Sequence, residues 1–289
     1  MSSWPARLLA AGAALHSITA FMPLTDPNGN WTPFHDMTDE FDSTSGLNSS
    51  KWNDDKPAGW LGRQPGLFDP SNVEVESGFL SMFAKHAHLN ESMQALGFAN
   101  YTTAGMHSKA RTKYGYFEMR SKSGDGMVSS SWWFHDHDAS QWTEIDVFES
   151  GGTAVTVTPG LSHTFRSHTH VFALDGLNGS ALEKKCDCQL GKGAQTICSS
   201  GNIHQLPFNM SDGFHTFGLR WTPDDLTFFV DNVTVWKKGP HCMHQEIGMD
   251  LDRETMPGTM WPEHAPAGLP MGSPFVVDYV RAWKASDTW

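Results

Sequence analysis

Three carboxylates fall within the stretch Trp142-Thr-Glu-Ile-Asp-Val-Phe-Glu149, which otherwise has the β-branched and aromatic content of a strand. Side chains of a strand alternate between its two faces. Trp142, Glu144 and Asp146 therefore share one face, and Thr143, Ile145 and Val147 share the other. The second set suits a core and the first a cleft. Strict alternation would send Glu149 into the core beside Ile145, where an unpaired carboxylate is costly. A one-residue β-bulge near Val147–Phe148 would return it to the face of Glu144, and bulges beside active sites often re-aim a side chain in this way. Glu144 and Glu149 would then stand roughly 13 Å apart at Cα, at about 3.3 Å per strand step. Leaning together, the two carboxyl groups would close to about 5–6 Å, near the spacing of a retaining rather than an inverting glycosidase. Carboxylates this close do not all ionise freely, so at least one pKa is expected to rise. A proton held beside an ionised nucleophile is what acid-assisted glycoside cleavage requires.

Other residues suit the same face. Trp60-Leu-Gly-Arg63-Gln-Pro-Gly-Leu-Phe68 is a loop by its glycines and proline, and it offers an indole for a sugar face and a guanidinium for hydroxyls. Trp132 and Trp133 are adjacent in a strand and must point opposite ways, one into the core and one to the carboxylates. His168 and His170 share one face of the strand-like Phe165–Phe172, within reach of a sugar or of the acid/base carboxylate if that face is the cleft. His135-Asp-His-Asp138 reads as a polar loop between strands, with a metal site as the lesser alternative.

The elements that would position these groups are short alternating strands at Val73–Phe83, Tyr101–Lys109, Arg111–Arg120, Met127–Phe134, Phe214–Trp221, Leu226–Trp236 and Phe275–Trp283. Asp231-Asn232 marks a hairpin turn. Residues 173–212 read as a loop-rich insertion bearing cysteines, and 239–274 as a Pro-, Gly- and Met-rich loop. Helical periodicity is nearly absent, so the fold class is all-β, a sandwich or jelly roll. No repeat or linker divides the chain, which reads as one domain over about residues 25–285.

Composition limits the partners. The 289 residues carry a net charge of −12 without a Lys/Arg cluster, so neither nucleic acid nor an anionic membrane is an expected partner. Residues 1–20 pair one arginine with the short apolar run Leu8–Leu15, the pattern of a signal peptide. Seven of the asparagines lie in N-x-S/T sequons: Asn30, Asn48, Asn90, Asn100, Asn178, Asn209 and Asn232. Cys186, Cys188, Cys198 and Cys242 read as two disulfides of an exported chain, crossed or nested, with a cysteine zinc site as the alternative. Together these imply a secreted glycoprotein.

Glu144-Ile-Asp-Val-Phe-Glu149 also resembles the E-[IL]-D-x-x-E signature of the family-16 glycoside hydrolases. Tyr114–Arg120, Ser131–Phe134, Phe214–Asp224, Phe228–Asp231 and Val277–Arg281 resemble that family's other strands, in the same order, over about residues 40–285. The resemblance implies a concanavalin-like jelly-roll β-sandwich of two antiparallel sheets with a concave substrate groove. It implies Glu144 as nucleophile, Asp146 as its assistant and Glu149 as acid/base, in endo-hydrolysis with retention and without a catalytic cofactor. Trp60-x-Gly-Arg63 and Ser167-His-Thr-His-Val-Phe172 look most like the agarase, porphyranase and kappa-carrageenase branch. By that likeness Trp60, Arg63, Trp133, Trp142 and His170 line the subsites of a monomeric enzyme acting on an algal galactan, and Asp278 matches a structural calcium ligand. With few groove arginines apparent, agar-type linkages are expected before carrageenan. A β-1,3- or mixed-linkage endo-glucanase and a non-catalytic glycan-binding protein of the same fold are the alternatives.

Overall fold

Alternating apolar and polar residues become strands that bury one face each. A computed structural model describes residues 29–137, 141–155, 157–173, 179–190, 197–256 and 270–285, with Pro23, Asp26 and Gly258. The proposed signal segment and the Asn178 sequon lie outside the described residues. In chain order the strands are β1 (Trp31–Pro33), β2 (Trp52–Asn53), β3 (Gly66–Phe68), β4 (Val73–Glu76), β5 (Phe79–Met82), β6 (Lys85–His86), β7 (Tyr101–Ser108), β8 (Gly115–Lys122) and β9 (Ser129–His137). They continue as β10 (Gln141–Gly151), β11 (Thr164–Ala173), β12 (Gln189–Leu190), β13 (Ile197–Gln205), β14 (His215–Trp221), β15 (Leu226–Val230), β16 (Val233–Lys238), β17 (Gly248–Arg253) and β18 (Phe275–Ala285). Two short helices, α1 (Glu91–Ala95) and α2 (Gly179–Cys186), complete the described elements named here.

The strands form two sheets. One runs β16-β15-β14-β8-β18-β5-β4, with β1 on β18. The other runs β12-β13-β11-β10-β9-β17-β7-β2, with β3 and β6 also on β7. Pairing is antiparallel except between β3 and β7. The sheets close on an aromatic core in which Phe117 meets Phe134 at 4.8 Å and Phe148 meets Phe217 at 4.7 Å. Aromatic rings at such spacings supply much of a core's apolar burial and add edge and offset contacts. The jelly-roll sandwich expected from the sequence is therefore the observed fold.

Turn chemistry behaves as expected. Asp231 and Asn232 both take positive φ and join β15 to β16 as a two-residue hairpin. Ser77 and Gly78 do the same between β4 and β5.

Two expected loops are corrected. Residues 239–274 contain β17, which lies between β9 and β7 in the middle of a sheet. The 173–212 insertion contains α2, β12 and the nine-residue β13, which pairs along β11. The His135–His137 run, read as loop, completes β9.

The cysteines form the nested pairs Cys186–Cys242 and Cys188–Cys198, so no thiolate remains for zinc. The buried Lys238 ammonium donates to the carbonyls of Cys186, Asp187 and Pro240 and ties α2 to the end of β16.

Loop-closure entropy ranks the two bridges, because the first spans 56 residues and the second 10. The chain-entropy model assigns about 4 kcal/mol to the longer and about 3 kcal/mol to the shorter. Peptide mapping without reduction should recover both nested pairs. Removing Cys186–Cys242 should lower Tm more than removing Cys188–Cys198, and the opposite ranking in calorimetry would refute this account.

Candidate active site

The bulge is present. Asp146 pairs with His168 and Glu149 with Arg166, so Val147 and Phe148 together oppose only Ser167 on β11. Against β9 the register slips between Asp146 and Phe148. Val147 and Phe148 are both fully buried, and Ser167 donates its hydroxyl to the Val147 carbonyl at 2.8 Å. The core takes two successive apolar side chains, and the next residue, Glu149, emerges on the face of Glu144 and Asp146. Trp132 is fully buried and Trp133 stands on the acid side, as adjacent strand residues must.

Each acid has a named neighbour. Glu144 accepts a hydrogen bond from Trp142 Nε1 at 2.8 Å. Glu149 Oε2 lies 3.4 Å from His168 Nδ1. Asp146 Oδ2 lies 3.5 Å from His170 Nε2, while His170 Nδ1 meets the Ser199 hydroxyl at 2.8 Å. His168 fits because its neighbour on β13 is Gly201, where a Cβ would lie 2.5 Å from the imidazole. The sequence placed the two histidines on this face but did not separate their partners.

β17 adds a second acidic row that the sequence reading missed. Asp250, Asp252 and Glu254 are all buried, and each has a partner on this face. Asp250 binds His135 and His107, Asp252 accepts from Trp133 Nε1 at 2.6 Å, and Glu254 pairs with Arg63 Nε at 3.0 Å. The signal was available in Met249-Asp-Leu-Asp-Arg-Glu254, an acid at every second position between buried residues. Arg166, beside Glu149 across the strands, is a further site residue the sequence left unassigned.

The Trp60 loop forms a wall over this sheet. Trp60 meets Trp133 edge to face at 6.3 Å and Phe68 at 5.0 Å, and Arg63 lies over its ring at 5.9 Å. Thr255 holds the loop by donating to the Arg63 carbonyl and accepting from the Gly66 N–H. Trp60, Arg63, Trp133, Trp142 and His170 thus stand on the face that carries the three carboxylates.

Asp278 is elsewhere, on β18 of the opposite sheet, ion-paired with Arg120. Two other clusters, His107/His135/Asp250 and Asp146/His168/His170, gather imidazoles around an aspartate at spacings that contacts between the rings and the carboxylates account for.

Crowding and burial set the charges. Burial pushes Asp146 well above the ordinary carboxylate range, reinforced by Glu144 and Glu149. Burial also raises Glu144, against the opposing Trp142 hydrogen bond and His135 charge. Glu149 is lowered: burial opposes its charge, but His168, Arg166 and Arg63 outweigh it. His170 falls to about 4 because it is buried and faces His168, so it is neutral at ordinary pH. Asp146 and Glu144 are thus the groups pushed up, the direction expected of at least one of the three.

Fold and site together are those of a glycosidase jelly roll. The chain matches the domain model "Beta-porphyranase A-D, GH16 domain" over residues 31–285, and it belongs to that branch of glycoside hydrolase family 16. Beta-porphyranase D of Zobellia galactanivorans is 39% identical over 116 residues, a match covering 39% of this chain and 27% of that protein. Kappa-carrageenase of Pseudoalteromonas carrageenovora is 24% identical over 96% of this chain and 70% of its own length. The crystal structure of porphyranase B from Zobellia galactanivorans superposes with a TM-score of 0.72 at 23% identity, covering 91% of this chain and 99% of that one.

Glu254 carries a testable cost. Burial lifts its pKa to about 7, against the pull of Arg63. A carboxyl raised in the folded state contributes its full stability below the unfolded pKa and loses it as pH rises through the folded one. The window is therefore about pH 4.5 to 7, and the loss on the order of 3 kcal/mol. Glu254→Gln should flatten this part of the stability profile and narrow the Tm difference between pH 5 and pH 8. An unchanged difference would show that Glu254 is ionised throughout.

Proposed function

We propose that the protein is a secreted, endo-acting, retaining glycoside hydrolase that cleaves β-linked galactans of the agar/porphyran type. The observation that carries this reading is the bulge, which sets Glu144 and Glu149 on one face around Asp146. In the proposed mechanism Glu144 attacks the anomeric carbon and expels the aglycone oxygen, which takes its proton from Glu149. Glu149 then removes a proton from water as that water attacks the glycosyl-enzyme ester and frees Glu144. The Trp142 N–H fixes one Glu144 oxygen and leaves the other for attack. Asp146, on the same face and raised by burial and by both glutamates, keeps its proton and so adds no third charge beside them.

Charge and shape support the substrate class. Trp60, Trp133 and Trp142 offer apolar faces suited to pyranose rings. The arginines on this face, Arg63 and Arg166, stand among six carboxylates, and Arg63 is already paired with Glu254. Such a groove suits a neutral or lightly charged chain better than a densely sulfated one. Porphyranases and a carrageenase among the relatives support a galactan. Two disulfides, the sequons and the amino-terminal apolar run support secretion.

The test is reducing-end release from agarose, porphyran, kappa-carrageenan, laminarin and mixed-linkage glucan, with the anomer of the first product read by NMR. Agarose or porphyran should be cleaved with retention. Glu144→Gln should retain binding and lose at least about 10³-fold in turnover, in the range removed with a catalytic group. Cleavage of laminarin alone would move the substrate to a β-glucan, and inverted product would end the two-step mechanism.

A further inference from the structure

Trp142 ends a chain of side chains whose other members the reaction above does not use. Asp250 lies between two imidazoles: His107 Nδ1 is 2.8 Å from one oxygen and His135 Nδ1 is 2.7 Å from the other. Both rings donate to the one carboxylate. Room for His107 comes from Gly248, where a Cβ would lie 2.3 Å from its ring. His135 is only 5% exposed and lies between two indoles. Trp133 stacks on one face at 4.5 Å and 17°, and Trp142 on the other at 4.7 Å and 22°. His137 stacks on Trp142 in turn, at 5.6 Å. Trp142 is the residue whose Nε1 holds Glu144, and His135 is the cross-strand partner of Glu144 itself.

We propose that His135 is a positioning residue for Glu144: anchored by Asp250, its imidazolium fixes the Trp142 indole that binds the Glu144 carboxylate, and it sets a positive charge one strand away. This deepens the function proposed above and rests on Glu144 being the nucleophile. The geometry carries it. An imidazole wedged between two indoles and tied at Nδ1 cannot rotate without breaking both stacks and the bond to Asp250. An indole stacked on that ring keeps its N–H aimed at one Glu144 oxygen. A cation between two indole faces is also favoured by their quadrupoles, more so when desolvated.

The surrounding charges favour the same state. The groups facing His135 are Asp250 from β17, Glu144 from β10, His107 from β7, and Asp136 from its own strand, which is paired with Arg111. Burial works against the charge, but Asp250 and then Glu144 and Asp136 overcome it, so the pKa is raised. A histidine raised in this way keeps its charge below the shifted value and loses it as pH rises through it. The positive charge in turn works to lower the Glu144 pKa against burial.

Two measurements test the proposal. The first needs no substrate: titration of isotope-labelled histidine by NMR, with the His135 signal assigned by its absence in His135→Gln. His135 should titrate above the ordinary histidine value and fall by at least about one unit in Asp250→Asn, and the Trp142 indole N–H should shift along the same curve. The second is kinetic. His135→Phe retains a stacking ring without charge, and His135→Gln retains a donor to Asp250 without charge. In both, kcat should fall at least about 10-fold with KM changed less than about threefold, the pattern of a lost transition-state contribution. Wild-type kcat should fall as pH rises through the His135 titration, and His135→Gln should lack that step. Titration of His135 at or below the ordinary value, or kcat within twofold of wild type in both variants, overturns the proposal. Absence of turnover by the wild type on every galactan would overturn the proposed reaction, while the NMR titration would still decide whether His135 is a charged anchor for Trp142.

Discussion

One extra residue in β10 decides what this sheet can do. Without it, Glu149 would follow Val147 into the core and meet the fully buried Phe165 and Phe217 around Phe148. With it, the core gains Phe148 and the outer face gains the third acid. The two gains come from the same backbone irregularity, so the apolar packing of Phe148 stabilises the conformation that exposes Glu149. Ser167 completes the arrangement by giving the displaced Val147 carbonyl a donor inside the core, where an unpaired carbonyl would be costly. Packing and chemistry are here one constraint.

That constraint concentrates negative charge, and much of the site opposes the consequence. Glu144, Asp146 and Glu149 on β10 face Asp250, Asp252 and Glu254 on and just beyond β17, with β9 between the two rows. Most of these acids have a partner of complementary type: an indole N–H for Glu144 and Asp252, an imidazole for Glu149 and Asp250, a guanidinium for Glu254. Asp146 has His170 Nε2 at 3.5 Å, a neutral ring, and its pKa is raised by burial and by Glu144 and Glu149. Each arrangement restricts rotation of a group, and a fixed set of dipoles and charges needs little reorganisation as charge develops in a reaction. Stability is given up for this order, as the raised pKa values of Asp252 and Glu254 record.

The legible part of the sequence was the part where a strand has one apolar face. β9 as far as Phe134, β10, β11, β14 and β18 alternate plainly, and with them came the bulge, the opposed Trp132 and Trp133, and the shared face of His168 and His170. What escaped notice had polar residues where a strand is expected to be ordinary. β17 carries acids on one face and sits among prolines, glycines and methionines, so its alternation looked like loop composition. His135 and His137 look like a turn because both are polar; they stand on the outer face of β9, where His135 is buried between two indoles and His137 is exposed. β13, Ile-Cys-Ser-Ser-Gly-Asn-Ile-His-Gln, has little apolar pattern because it lies at the sheet margin and borrows order from β11 and the Cys188–Cys198 bridge. A sheet face lined with polar and charged groups inverts the usual contrast, and the strands that build it are the hardest to see.

The charge order of Glu144 and Glu149 differs from the order the proposed first step needs, and the difference has a physical reading. Glu149 is held ionised by His168, Arg166 and Arg63, while Glu144 is raised by burial. A glycan lying over Glu149 removes water from it and so favours its protonated form. Glu144 acts on Glu149 as Glu149 acts on it, raising its pKa for as long as Glu144 is charged. Once Glu144 is esterified in the proposed intermediate, that charge is gone, and His168 and Arg166 again favour the ionised form. Glu149 is then a base, as the second step requires. In the proposed reaction the groups that oppose the acid, His168 and Arg166, are therefore the ones that restore the base at mid-reaction, and the charge of Glu144 is the switch between the two states.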